Sequence, residues 1–233
     1  MSSISRSGWA FVALIFVYSF VPSIVGLTRV VELSGGPAIA PPNPRAMSAP
    51  TPIVIHILSS SLFCLLGALQ FLPSLRHAHP FFHRLSGRLV ALAGALSALS
   101  GLWMTFAYAF PSQLQGPALF WARLLLSSAM LALIAWGVVA IRMRNFHAHG
   151  AAMIRAYAIG QGASTQAVFG IFWMILWGVE LMGPARDIMM LAAWGVNLIA
   201  AEVVVTARFR ATRRGPRTSR LPSQTNRRRA SAS

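Results

Sequence analysis

Along this chain, apolar runs long enough to cross a bilayer alternate with short polar interruptions. A hydrocarbon layer of about 30 Å takes about 20 helical residues to span. Six stretches reach that length, at roughly 8–27, 53–75, 87–110, 118–141, 152–179 and 188–207. None has the period-two alternation of an outer-membrane strand, where lipid-facing and lumen-facing residues take turns. The pattern predicts an all-α fold: a polytopic transmembrane helix bundle of about six spans, forming a single domain over residues 1–207. The first run, GWAFVALIFVYSFVPSIVGL after Arg6, is longer than a typical signal-peptide core. It reads as an uncleaved span, although AIA at 38–40 resembles a cleavage site.

Inside the spans, the small and polar positions predict how the helices meet. Gly87, Ala91, Gly94, Ala98 and Gly101 alternate spacings of four and three, which puts a seam of small side chains on one face of the third span. Helices in lipid associate through close backbone approach at such seams, so this span is expected at the centre. In the second span, His56 and Gln70 lie within about 40° of one face and about 21 Å apart along the axis. Ser60 and Gly67 fall near the same stripe. Arg123 in the fourth span reads as a snorkelling side chain and Glu202 in the sixth as the partner of Arg208 or a loop arginine. Gln161, Ser164, Thr165, Gln166 and Asn197 read as interhelical glue.

Composition agrees with a membrane location: 56% of residues are hydrophobic, 10% are charged and mean hydropathy is +0.62. That lies outside the range of soluble globular chains. The net charge of +16 comes from twenty basic residues, all arginine, against four acids. Nine arginines fall between Arg208 and Arg229, so 208–233 is expected to be a disordered tail held against anionic lipid. No aromatic or Gly-rich reader accompanies the charge, so nucleic acid is not the expected partner. Sixteen arginines collect on the side of the termini and three on the other (Arg29, Arg45, Arg186). By the positive-inside rule both termini face the cytoplasm. The one cysteine, Cys64, lies inside an apolar run, which excludes an intrachain disulfide.

Two polar bursts hold five of the six histidines: HAHPFFHRLSGR at 77–88 and RMRNFHAHGAAMIR at 142–155. Both are expected as loops on the cytoplasmic face. With Gln70 they form a cluster whose candidate functional residues are Gln70, His83, Arg84, Arg88, His149 and Arg155, with His56 as a second station at the outer end.

These residues also carry a resemblance. His56, separated by thirteen residues from Gln70-Phe71, is followed by Arg76, by His83-Arg84-x-x-Gly87-Arg88 and by His149-x-x-x-Met153-Ile154-Arg155-Ala156-Tyr157. Over roughly residues 50–170 the pattern resembles the bacterial membrane-protein family catalogued as domain of unknown function 2306. The chain departs from it at Ala152, where the family usually has Trp. His77, His79 and His147 match no motif. The resemblance implies a multi-pass protein of a bacterial inner membrane and names no activity.

Several functions stay open at this point. One is a transporter or sensor of a small anionic or protonatable solute, using His56 and the inner cluster. Another is a b-type haem protein with His83 and His149 as axial ligands and Arg84, Arg88 and Arg155 on the propionates. A metal held by the two HAH triplets is a variant of it, without a carboxylate or thiolate to assist. A third is a structural or accessory subunit with membrane partners that the sequence does not name. No Ser/His/Asp set, HExxH or phosphate loop marks an enzyme.

Overall fold

Proline opens most of the helices, because its fixed φ and missing N–H suit a first helical turn. The computed structural model describes residues 6–213, and among these there are helices and turns but no strand. In chain order the helices are α1 (Arg6–Leu33), α2 (Pro44–Ser48), α3 (Pro50–Ala68), α4 (Pro73–Ala78), α5 (Pro80–Ala107), α6 (Pro117–Arg142), α7 (Phe146–Gly160), α8 (Gly162–Trp177) and α9 (Gly183–Arg213), with a short 3-10 turn at Leu69–Phe71. Six segments are long and apolar enough to cross a membrane: Gly8–Leu33, Pro50–Phe71, Pro80–Ala107, Pro117–Arg142, Phe146–Trp177 and Gly183–Arg210. The expected number of spans holds.

Their boundaries move outward for identifiable reasons. The first span continues past 27 because Arg29 and Glu32 pair across one turn at 2.7 Å. Glu32 also accepts the Ile39 N–H at 2.5 Å and the Ala40 N–H, which folds 34–43 back onto the helix end. The third span begins at Pro80 rather than 87, so His83, Arg84 and Arg88 belong to its first turns and not to a loop. Likewise Asn145 caps α7, its Oδ1 accepting the Ala148 N–H at 3.0 Å, and this draws His149 and Arg155 into the helix. At the far end α9 runs to Arg213, into the segment expected as a tail. The rest of that tail, 214–233, lies outside the described residues.

α5 is central, as its small-residue seam predicts. A Cβ on Gly94 would come within 2.6 Å of Phe63 on α3 and 2.8 Å of Ile134 on α6. The helices therefore touch at this glycine, and around it Phe63, Val90, Ala98, Met130, Ile134 and Tyr157 pack as the buried core. The start of α1 packs Val12 against Ala68 and Leu72 at the far end of α3, next to the His-rich turns. The end of α9 lies at the same level, where Glu202 meets Arg155. Both ends of the described chain thus share the His-rich end of the bundle.

The fifth span is interrupted. Gln161, flanked by Gly160 and Gly162, has φ −73° and ψ −2°, short of the helical ψ. The neighbouring carbonyls find side-chain donors: Trp194 Nε1–H donates to Ile159 O at 3.2 Å and Cys64 Sγ–H to Gly160 O at 3.6 Å. Without water in the hydrocarbon, such partners are what make a break tolerable. Gln161 itself is buried and donates to Ser19 Oγ and Tyr157 Oη, both at 2.8 Å. Tyr157 in turn donates to Cys64 O at 2.6 Å and Thr165 to Asn197 Oδ1 at 2.9 Å. Of the residues read as glue, Gln161 reaches α1 and α7, and Thr165, Gln166 and Asn197 tie α8 to α9.

Candidate functional site

Between the interrupted span and α5, a cavity of about 250 Å³ opens inside the bundle, at the end away from the His-rich turns. Its polar lining comes from His56 and Ser60 (α3), Ser97 and Thr105 (α5), Arg123 and Ser127 (α6) and Gln166 (α8), with Trp194 of α9 beside the break. Among the described residues, no carboxylate lines it.

His56 is held in one tautomer. Its Nδ1 lies 3.0 Å from Ser97 O and 3.2 Å from Ser100 Oγ. A carbonyl can only accept, and the Ser100 hydroxyl already donates to Leu96 O at 2.7 Å. Nδ1 therefore carries the hydrogen, and Nε2 is the lone-pair nitrogen. Nε2 has no hydrogen-bond partner among the described residues.

Arg123, expected as a snorkelling side chain, does reach back toward the start of its helix, and it also lines the cavity. It donates to Gln115 Oε1 and stacks its guanidinium 4.8 Å from the centroid of Phe110, both in the connection that precedes α6. Arg45, on α2, stacks on the same ring at 4.8 Å, and its Nε is buried without a hydrogen-bond partner. The nearby acid, Asp187, is engaged elsewhere: its carboxylate caps the start of α6, accepting from Gly116 N at 3.2 Å and Leu119 N at 3.3 Å. Arg186 donates to Leu114 O and pairs with Glu180 at 3.4 Å. Among the described residues, Arg45 and Arg123 form no salt bridge. Two cations thus share one aromatic ring at the mouth of a cavity that no carboxylate lines among the described residues, with Asp187 nearby as a helix cap.

The residues singled out at the other end are brought together but largely engage one another. Gln70 Nε2 donates to Ser86 Oγ at 2.8 Å, which ties α3 to α5. Since His56 also reaches α5, the two residues do share a face of their helix. His149 Nδ1–H donates to Gly137 O at 2.9 Å, which locks α7 onto α6. Arg155, one of the arginines expected in the loop between spans four and five, forms a two-point pair with Glu202 at 2.5 and 2.8 Å, so the expected loop-arginine partner of Glu202 is Arg155, here within α7. Arg84 and Arg88 are exposed. His83 is half-buried, its Nδ1 lacks a partner, and it lies within electrostatic reach of Arg76 and His149. The two HAH triplets do not assemble a metal site: among the described residues no group of three or more His, Cys, Asp or Glu is placed to hold an ion.

A family model described as a predicted membrane protein family, DUF2306, matches residues 53–205. The chain belongs to this family. The match extends past the motif-bearing region through the interrupted fifth span and most of α9, so the cavity-lining residues from His56 to Trp194 all fall inside the family's region. No curated protein and no solved structure matches the chain.

Sequence reasoning placed His56 at the outer end, on the stripe of Ser60 that also lines the cavity, but it did not single out Arg45, Phe110 and Trp194. The available signal was Arg123, a lone cation inside a span, which defaults to a functional site with a partner to be named.

Proposed function

We propose that this multi-pass membrane protein binds a small anionic solute in the cavity beneath Arg123 and His56, as a transporter or sensor. The observation that carries the reading is the Arg123 guanidinium on the cavity lining, which forms no salt bridge among the described residues. A charge in the bundle interior is costly unless it is paired, and a bound anion would provide the missing pair. Arg45 and Arg186 add positive potential at the mouth and would raise the local anion concentration. The cavity volume of about 250 Å³ lies just under the usual range for ligand pockets, which favours a solute of a few heavy atoms. The arginine asymmetry supports an orientation in which the His-rich end and both termini face the cytoplasm of a bacterial inner membrane. There the basic turns and the tail would rest on anionic lipid.

The test is a titration of detergent-purified protein with sodium acetate and, separately, sodium chloride, read by calorimetry and by tryptophan emission, since Trp194 lines the cavity. A charge-assisted hydrogen bond contributes about 1.5–3 kcal/mol, so Arg123→Gln should weaken binding by roughly 10- to 100-fold. Arg84→Gln and Arg88→Gln, at the opposite end, should leave it unchanged. Equal affinities in the wild type and Arg123→Gln would remove the reading.

A further inference from the structure

The tautomer of His56 constrains what an anion in this cavity must bring with it. With Nδ1–H committed to Ser97 O, neutral His56 offers only the Nε2 lone pair to the cavity. A lone pair beside an anion is repulsive. A proton taken from water onto Nε2 turns the same edge into a charge-assisted donor and leaves the Nδ1 hydrogen bond intact. We infer that the site takes up its anion together with one proton, held on His56 Nε2. The inference rests on the reading of the cavity as an anion site.

Charge arithmetic supports the pairing. The empty cavity carries the single positive charge of Arg123. With an anion and a protonated His56 added it carries the same net charge, so loading does not change the charge buried in the bundle. Among the described residues lining the cavity, His56 and Arg123 are the ionisable groups. Of the elements around His56, α5 presents Ser97, Ser100 and Thr105, α8 presents Gln166, and α9 presents Trp194. The charged groups are Arg123 on α6, Arg45 behind Phe110, and Arg186 with Asp187 beside Arg123. Arginine remains protonated throughout the working range, and Asp187 is a cap with two backbone donors. That leaves the His56 imidazole as the lining group able to take a proton. By linkage, each bound species then raises the affinity for the other.

Chloride is the decisive probe because it cannot carry the proton itself. Sodium chloride is added to the full-length protein in weakly buffered detergent solution containing a pH-sensitive dye, and chloride affinity is measured from pH 6 to 8. The wild type should take up close to one proton per chloride bound above about pH 7, and its affinity should fall by up to about tenfold per pH unit above the ordinary imidazole range. His56→Gln should show neither effect, while His83→Gln should retain both. Proton uptake by the wild type decides even if His56→Gln does not fold. Chloride binding of equal affinity at pH 6 and 8, without proton uptake, would overturn this inference and leave the anion site standing. Folded protein that binds neither chloride nor acetate at any of these pH values would overturn both.

Discussion

The two ends of the bundle invert what residue counting suggests. The His-rich end gathers five histidines in its two polar bursts, but its inward-facing groups are mostly paired: Gln70 with Ser86, His149 with Gly137 and Arg155 with Glu202. The opposite end has a single histidine, and there Arg123 and His56 border a cavity with hydrogen-bonding capacity to spare. A polar side chain that helices have absorbed is structure. One left facing an enclosed space is available for a ligand.

The sharpest way to break this contrast is to fill space at each end. A Cβ on Gly162 would lie 2.0 Å from Trp194 Nε1, at the break beside the cavity, whereas a Cβ on Gly150 near the His-rich end would meet nothing within 4 Å. Gly162→Ala should therefore destabilise by about 1–3 kcal/mol through overpacking, and should displace the indole that holds Ile159 O. Gly150→Ala sits in an open helical position and should be neutral or stabilising by up to about 1 kcal/mol. The check is the apparent unfolding midpoint of each variant in detergent. Similar shifts at the two glycines would mean that the break is not the tightly packed junction described.

How much of this was legible in the sequence depends on what each feature looks like one residue at a time. The spans were legible because about 20 apolar residues in a row leave few alternatives. The seam on α5 was legible because small residues at helical spacing are a local pattern. Helix starts were less so: hydropathy drops at His83-Arg84, yet Pro80 and Asn145 begin their helices several residues earlier. The interruption at Gln161 was marked only by a glycine on either side. The cavity was not legible at all, because Arg45, Phe110, Arg123 and Trp194 come from separate elements and share no spacing. Family motifs drew attention to the polar ends of spans two, three and five, where the same residue types recur in contiguous stretches.

A smaller effect is expected at the mouth. Asp187 of α9 caps α6 through two backbone N–H groups, and Arg123 follows about a turn and a half into that helix. Asp187→Ala should cost about 1 kcal/mol of stability, as losses of helix N-caps do. It also removes a negative charge near Arg123, so anion affinity should rise or stay level while the unfolding midpoint falls. A loss of binding as large as that of Arg123→Gln would instead mean that the cap positions the guanidinium.

The smallest effect tests the other half of the contrast. The Arg155–Glu202 pair has close two-point geometry, which in a buried setting would make it a strong candidate for a stabilising or catalytic unit. Its side chains retain 34% and 53% of their accessible surface, however. Half-exposed pairs lose most of their Coulomb attraction to screening and to the entropy of fixing two long side chains, and typically contribute about 0–1 kcal/mol. A double-mutant cycle with Arg155→Gln and Glu202→Gln should return a coupling in that range, smaller still at high salt. Anion affinity should be the same in all four proteins, because the pair lies at the far end from the cavity. A coupling of several kcal/mol, or a change in chloride affinity, would mean that this salt bridge joins the two ends of the bundle and that the division between a paired end and a binding end is wrong.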